Sequence, residues 1–281
     1  MWRLGPGTSR LLGALAAGLL LGASAVAHAA TFTVDITADA VDAVPGDGIC
    51  ATAAGACSLR AAVQEANALA GPDTIDLPAG TYVLTLAGPA EDASAPGDLD
   101  VHDTLTITGA GAATTVIDGN ASSRVVEASL PFQGNPRTVT LSGVTVRNGK
   151  SQDSDLCEGV STPFGNSTFG GGAGLCANIV SLTLVDSVVE SNEGDAGIKV
   201  FSILTLTRST VRDNQGYGIA WVAGGAAITD STISGNGGGL AVGLDVEGFE
   251  STSGTARSVA TAGPGSPRGS SARRGATQNA T

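Results

Sequence analysis

Apolar and polar residues alternate along most of this chain, and from the middle onward the alternation itself recurs. The apolar pairs Leu182/Leu184, Leu204/Leu206 and Ala226/Ile228 stand 22 residues apart. Each leads into a similar block: Asp186-Ser187-Val188-Val189, Arg208-Ser209-Thr210-Val211 and Asp230-Ser231-Thr232-Ile233. A second short strand pattern follows, Gly197-Ile198-Lys199-Val200, Gly218-Ile219-Ala220-Trp221 and Gly239-Leu240-Ala241-Val242, with an earlier copy at Gly174-Leu175-Cys176-Ala177. A fixed period with strand-like alternation inside it marks a coiled solenoid, because one unit buries its apolar side only by stacking on the next. The pattern predicts an all-β parallel β-helix with coils of about 22 residues and Leu175, Ile198, Ile219 and Leu240 in one interior column.

Asparagines keep the same step at Asn192, Asn214 and Asn236, and Asn148 lies two periods ahead of the first. All four are expected to form one structural ladder. Asn tolerates the left-handed backbone of a sharp corner, and its amide can bond to the Asn above and below. Weaker alternation in Thr74–Leu77, Tyr82–Leu86, Leu105–Ile107 and Thr138–Leu141 extends the solenoid to residues 72–247, with 150–170 as an inserted loop. About six or seven coils at ~4.8 Å each would make a rod of about 30 Å. From Leu59 to Leu69 the period changes to helical, Ser58 stands as an N-cap, and Gly71-Pro72 ends the run. Such a helix would cover the open end of the first coil. After Glu247 the alternation stops, so 248–281 reads as a disordered or frame-shifted tail. It leaves the last coil without a cap and open to self-association.

The first residues change the picture of where the protein resides. Arg3 and Arg10 precede an apolar run from Leu11 to Ala27, and Ala27-His28-Ala29 follows. This describes a signal peptide over residues 1–30, cut after Ala29 or Ala30, with a retained anchor as the alternative and no integral membrane span after processing. In an exported chain the four cysteines read as two disulfides. Three connectivities are open, and the local one, Cys50 with Cys57 and Cys157 with Cys176, is expected. All 26 acidic residues fall between Asp35 and Glu250 among only eight Lys and Arg, which argues against nucleic acid as a partner.

The N-terminal stretch carries a family resemblance. Phe32-Thr33-Val34, Thr37-Ala38-Asp39, Pro45-Gly46-Asp47-Gly48-Ile49-Cys50 and Cys57-Ser58-Leu59-Arg60-Ala61-Ala62 together resemble the CSLREA domain, with Ala61 where that motif has Glu. The resemblance implies a capping module over 31–71 of a bacterial protein, exported and extracellular or held at the cell surface in association with the outer membrane. It also implies right-handed parallel β-helix repeats downstream, so the fold class expected is an all-β, right-handed parallel β-helix. The family carries no agreed catalytic residues, so it transfers none.

Candidate chemistry is sparse. Asp98, Asp100 and Asp103 are the densest carboxylates of the solenoid, and a glycoside hydrolase needs two within ~5–9.5 Å. Asp39, Asp42 and Asp47 are oxygen ligands on a Gly-containing loop and could hold Ca²⁺. Arg208 is a candidate clamp for an acidic sugar, and Tyr217 and Trp221 are candidate platforms for a sugar ring. Long flat sheets suit a binding or adhesion scaffold for surface glycans, polysaccharides or other extended ligands. The alternatives are a polysaccharide lyase or glycoside hydrolase on a pectate-lyase-like fold, and a structural spacer or truncated fragment without ligand.

Overall fold

A computed structural model describes residues 29–88, 93–129, 137–151, 172–220 and 225–241. Residues 1–28, most of the expected inserted loop with Cys157, Trp221 and residues 242–281 lie outside the described residues. Strand β1 (Thr31–Thr33) and helix α1 (Leu59–Ala68) come first, and three-strand coils follow. These are β2 (Asp73–Leu77), β3 (Gly80–Val83) and β4 (Leu99–Val101); β5 (Leu105–Gly109), β6 (Thr115–Asp118) and β7 (Val126–Ser129). Next come β8 (Arg137–Ser142), β9 (Thr145–Arg147) and β10 (Gly172–Asn178); β11 (Val180–Val185), β12 (Val188–Glu190) and β13 (Ala196–Val200). Last are β14 (Leu204–Thr207), β15 (Thr210–Arg212) and β16 (Tyr217–Ala220); β17 (Ala226–Thr229), β18 (Thr232–Ser234) and β19 (Gly238–Ala241).

The strands stack into three parallel sheets, β1-β2-β5-β8-β11-β14-β17, β3-β6-β9-β12-β15-β18 and β4-β7-β10-β13-β16-β19. This is the all-β parallel β-helix that the alternation predicts. Its interior is a set of columns. Ile75, Ile107, Leu141, Leu184, Leu206 and Ile228 pair coil to coil in the first sheet, and Ile117, Val146, Val189, Val211 and Ile233 do so in the second. The third-sheet register aligns Leu175, Ile198, Ile219 and Leu240 as expected. Each buried aliphatic side chain contributes about 1.5–3 kcal/mol, so stacking supplies most of the stability.

The regular 22-residue step holds only at the C-terminal end, where Leu182 pairs with Leu204 and Leu204 with Ala226. Earlier coils are longer: Asp73 pairs with Leu105, 32 residues on, and Leu105 with Val139, 34 on. The coil carrying the inserted segment takes 43 residues, as in the Gly149–Asn192 contact. It is therefore one turn and not the two periods that the Asn148–Asn192 spacing suggests. The strand register stays intact across these longer steps.

That difference corrects the asparagine ladder. Asn192, Asn214 and Asn236 are stacked, with Asn192 Nδ2 donating to Asn214 Oδ1 at 2.8 Å and Asn214 Nδ2 to Asn236 Oδ1 at 2.8 Å. Asn148 is not a member. Its register mate is Ser191, and it donates instead to Asp118 Oδ2 at 2.9 Å. Gly149 heads the ladder, its N–H donating to Asn192 Oδ1 at 2.8 Å. Asn148 is left-handed as expected (φ 52), but in the later coils the left-handed residue lies one place before the asparagine, at Ser191 (φ 55), Asp213 (φ 54) and Gly235 (φ 65). The ladder asparagines follow the corner, with their amides turned inward. A second ladder joins the first two sheets: Ser187 N–H donates to Ser209 Oγ at 3.2 Å and Ser209 N–H to Ser231 Oγ at 3.0 Å.

At the N-terminal end α1 is buried along most of its length, and Ser58 Oγ accepts from Ala61 N–H at 3.1 Å as the N-cap. Cys50 and Cys57 form a disulfide.

Candidate functional site

The third sheet has an unusual outer face. Every residue of β7, β10 and β13 is buried, so side chains that point away from the coil interior are covered as well. Asp100, Glu127, Cys176 and Lys199 follow one another in that outward row. Asp98, Asp100 and Glu127 bring carboxylate oxygens within 4.8 Å of one another, all three residues buried. Arg124 is buried beside them, 3.3 Å from Asp98 and ion-paired with Glu127. Asp100 Oδ2 also accepts the N–H of Ser94 at 2.9 Å. Lys199 is buried in the same row, and burial lowers its pKa to about 8, against the opposing attraction of Asp195 and with some help from Arg124. Among the described residues this trio has the donor set nearest to a hard-cation site, and Arg124 supplies one positive charge against its three carboxylates.

The Asp98–Asp100–Asp103 series is thus divided. Asp98 and Asp100 lie in the covered cluster, whereas Asp103 is partly exposed and faces Arg137 at 3.4 Å. A hydrolase needs two carboxyls with open access between them. Asp98 and Asp100 are instead closed in by protein and engaged with Arg124 and Ser94, and Asp103 faces Arg137.

The acids of the capping module are engaged individually. Asp39 grips Arg60 at 2.6 Å and accepts the N–H groups of Thr85 and Leu86 at 2.7 and 2.9 Å. Asp42 accepts from Val44 and Ala51, both at 2.8 Å, and Asp47 from Ile49 at 2.8 Å. These bonds shape the loop, and a cation at Asp39 would have to displace Arg60. Sequence reasoning missed the two groups that organise the module. Arg60 is fully buried and donates to the carbonyls of Ser94, Gly97 and Asp98 at 3.1, 2.8 and 3.0 Å. Glu65, on the next helical turns, accepts the N–H groups of Gly46 and Gly48 at 2.7 and 3.1 Å. Helical phase puts both beside the apolar face, and Arg60 also stands in the motif stretch Cys57-Ser58-Leu59-Arg60.

Arg208 lies on the open corner of the first two sheets in a two-pronged pair with Asp186, both bonds 2.7 Å. The pair depresses the Asp186 pKa through that hydrogen bond and raises that of Arg208. Arg212 pairs likewise with Glu190 at 2.5 Å. Exposed pairs of this kind contribute little stability.

A surface groove of ≈ 710 Å³ runs along the corner between the second and third sheets, across successive coils. Lys150, Ser151, Glu193, Asp195, Gln215 and Tyr217 bring polar groups to it. Lys150 pairs with Glu193 at 3.0 Å, which leaves the groove mildly acidic. Tyr217 is 44% exposed, and its ring rests on the next coil at Gly238, where an added Cβ would meet the ring at 2.5 Å. A glycine there leaves room for the ring against the next coil. Cys176 is disulfide-bonded, and its expected partner Cys157, like the platform candidate Trp221, lies outside the described residues.

Comparison with protein-family models, with curated proteins and with solved structures finds no match to this chain. Among the described residues no helix is long and apolar enough to cross a membrane.

Proposed function

We propose that this protein is an exported β-helix scaffold, extracellular or at the cell surface, that binds extended glycans along the corner groove. The observation that carries the reading is the open polar groove with the partly exposed Tyr217 in its lining. An aromatic ring flanked by carboxylate, amide and hydroxyl groups offers a stacking face and hydrogen-bond partners for a sugar ring. The parallel strand spacing of ~4.8 Å repeats such partners along the rod, as an extended chain requires. The burial of Asp98, Asp100, Glu127 and Arg124 favours a binder over a hydrolase or lyase, because a substrate has no open approach to these carboxylates. By the same proposal residues 31–71 form a CSLREA-type cap. The central place of Arg60 in the Cys57-Ser58-Leu59-Arg60 stretch supports this, since it binds Asp39 and three loop carbonyls. The test is a glycan array probed with the folded, oxidised chain, with and without calcium, with captured oligosaccharides checked for shortening. Capture without shortening is expected. Silence from a folded sample would favour a spacer, and shortened products would favour an enzyme.

A further inference from the structure

Asp73, at the start of β2, is 2% exposed. Its Oδ1 accepts the backbone N–H of Ala30 at 2.7 Å, and the Ala30 carbonyl accepts the N–H of Thr74 at 2.9 Å. The chain at Ala30 is therefore fixed from both sides against the strand. Asp73 Oδ2 is equally buried and accepts no hydrogen bond. A buried carboxylate with one amide donor and one bare oxygen is a costly arrangement. The charges nearby do not relieve it. Asp103 acts on Asp73 with like charge, and Arg137 is drawn to Asp103 at 3.4 Å. What the site lacks is a cation at the position of the Ala30 nitrogen.

Ala29 is exposed, and Ala27-His28-Ala29 places small residues at the first and third positions before the Ala29–Ala30 bond. We propose that this bond is the processing site of the chain and that the α-ammonium freed at Ala30 completes a buried ion pair with Asp73. The step is a peptidase-catalysed hydrolysis. Water adds to the Ala29 carbonyl carbon, the C–N bond breaks, Ala29 departs as a carboxylate, and the Ala30 nitrogen takes up protons to become an ammonium. One N–H donor becomes three, enough to reach both Asp73 oxygens. Of the two cuts open from the sequence, only the one after Ala29 does this. Cutting after Ala30 removes the residue that Asp73 holds. The processing half rests on the export reading, and the pairing half does not.

Two measurements separate the halves. Chains ending at Thr281 would be prepared starting at Ala30, at Ala29, and at Ala30 with its amine acetylated, each with Asp73 and with Asp73→Asn. The free Ala30 chain should melt about 3–6 °C above the other two, and the gap should close in Asp73→Asn. Equal melting with Asp73 present, or a gap that survives Asp73→Asn, overturns the pairing. The full chain expressed in an export-competent bacterium should yield a product whose intact mass starts at Ala30. A start at Thr31 overturns the processing site. An uncut, retained chain overturns that site and the export reading together, and a persisting melting gap would still support the pairing.

Discussion

Asn214→Ala should be among the most damaging single changes in the solenoid, and Asn148→Ala one of the mildest. Asn214 is buried, and its Oδ1 accepts from Asn192 N–H at 3.1 Å and Asn192 Nδ2 at 2.8 Å. Its Nδ2 donates to Asn236 Oδ1 at 2.8 Å and to the Val189 carbonyl at 3.2 Å. Truncation removes four hydrogen bonds and leaves their partners in a place that water does not reach. At about 0.5–1.5 kcal/mol for each bond, the loss of four is roughly 2–6 kcal/mol, a large share of a typical stability of about 5–15 kcal/mol. Asn148 makes one side-chain bond, to Asp118, from a half-buried corner, and its loss should cost about 1 kcal/mol. Its φ of 52° also needs a residue that accepts the left-handed region, so the clean comparison uses Asn148→Gly as well as Asn148→Ala. Urea unfolding followed by far-UV circular dichroism gives both numbers, provided that the slopes agree among variants. Equal costs at positions 148 and 214, or a smaller cost at 214, would refute the assignment of the ladder.

Three further outcomes follow from the capping module. Arg60→Met should destabilise by about 3–5 kcal/mol in thermal or urea unfolding, because Asp39 would be left buried and charged without its partner. Replacing Cys50 and Cys57 by Ala releases a loop with a sequence separation of 7 and should cost about 2.5 kcal/mol, with hydrogen exchange rising in residues 40–57 before the coils. Burial raises the Glu65 pKa, with the Gly46 and Gly48 N–H groups opposing and Asp42 and Asp47 assisting. A raised carboxyl contributes stability that is present below its ordinary value and lost as pH rises through the raised one. The stability of the native chain relative to Glu65→Gln should therefore decline from mildly acid pH toward neutrality, as chemical unfolding at several pH values would show; a flat difference would contradict the assignment.

The stacking architecture was legible because Leu182, Leu204 and Ala226 occupy truly equivalent places, and alternation between them reflects a real inside and outside. Where corners vary in length, residue counting fails. Asn148-Gly149 resembles Ser191-Asn192 shifted by one, and only the pairing of Arg147 with Glu190 reveals that Gly149 holds the ladder position. The serine ladder was visible as a repeat of Ser187, Ser209 and Ser231, but periodicity does not say that a hydroxyl turns inward to a neighbouring N–H. The covered row of Asp100, Glu127 and Lys199 was illegible for a different reason. Alternation separates the two faces of a strand, but it cannot show that both are buried, as they are in β7, β10 and β13. Ala61, where the resembling motif has Glu, is fully buried, so its burial and not a first-turn charge governs that position.

The account turns on the groove at Tyr217. The most direct measurement is a calorimetric titration of the strongest array-captured oligosaccharide into the folded chain and into Tyr217→Ala, with melting temperatures compared. Loss of ring stacking should weaken binding about tenfold, roughly 1.4 kcal/mol, while the melting temperature stays within about 2 °C, since the ring is on the surface. Binding that is unchanged by Tyr217→Ala would place the ligand elsewhere on the solenoid and contradict the account.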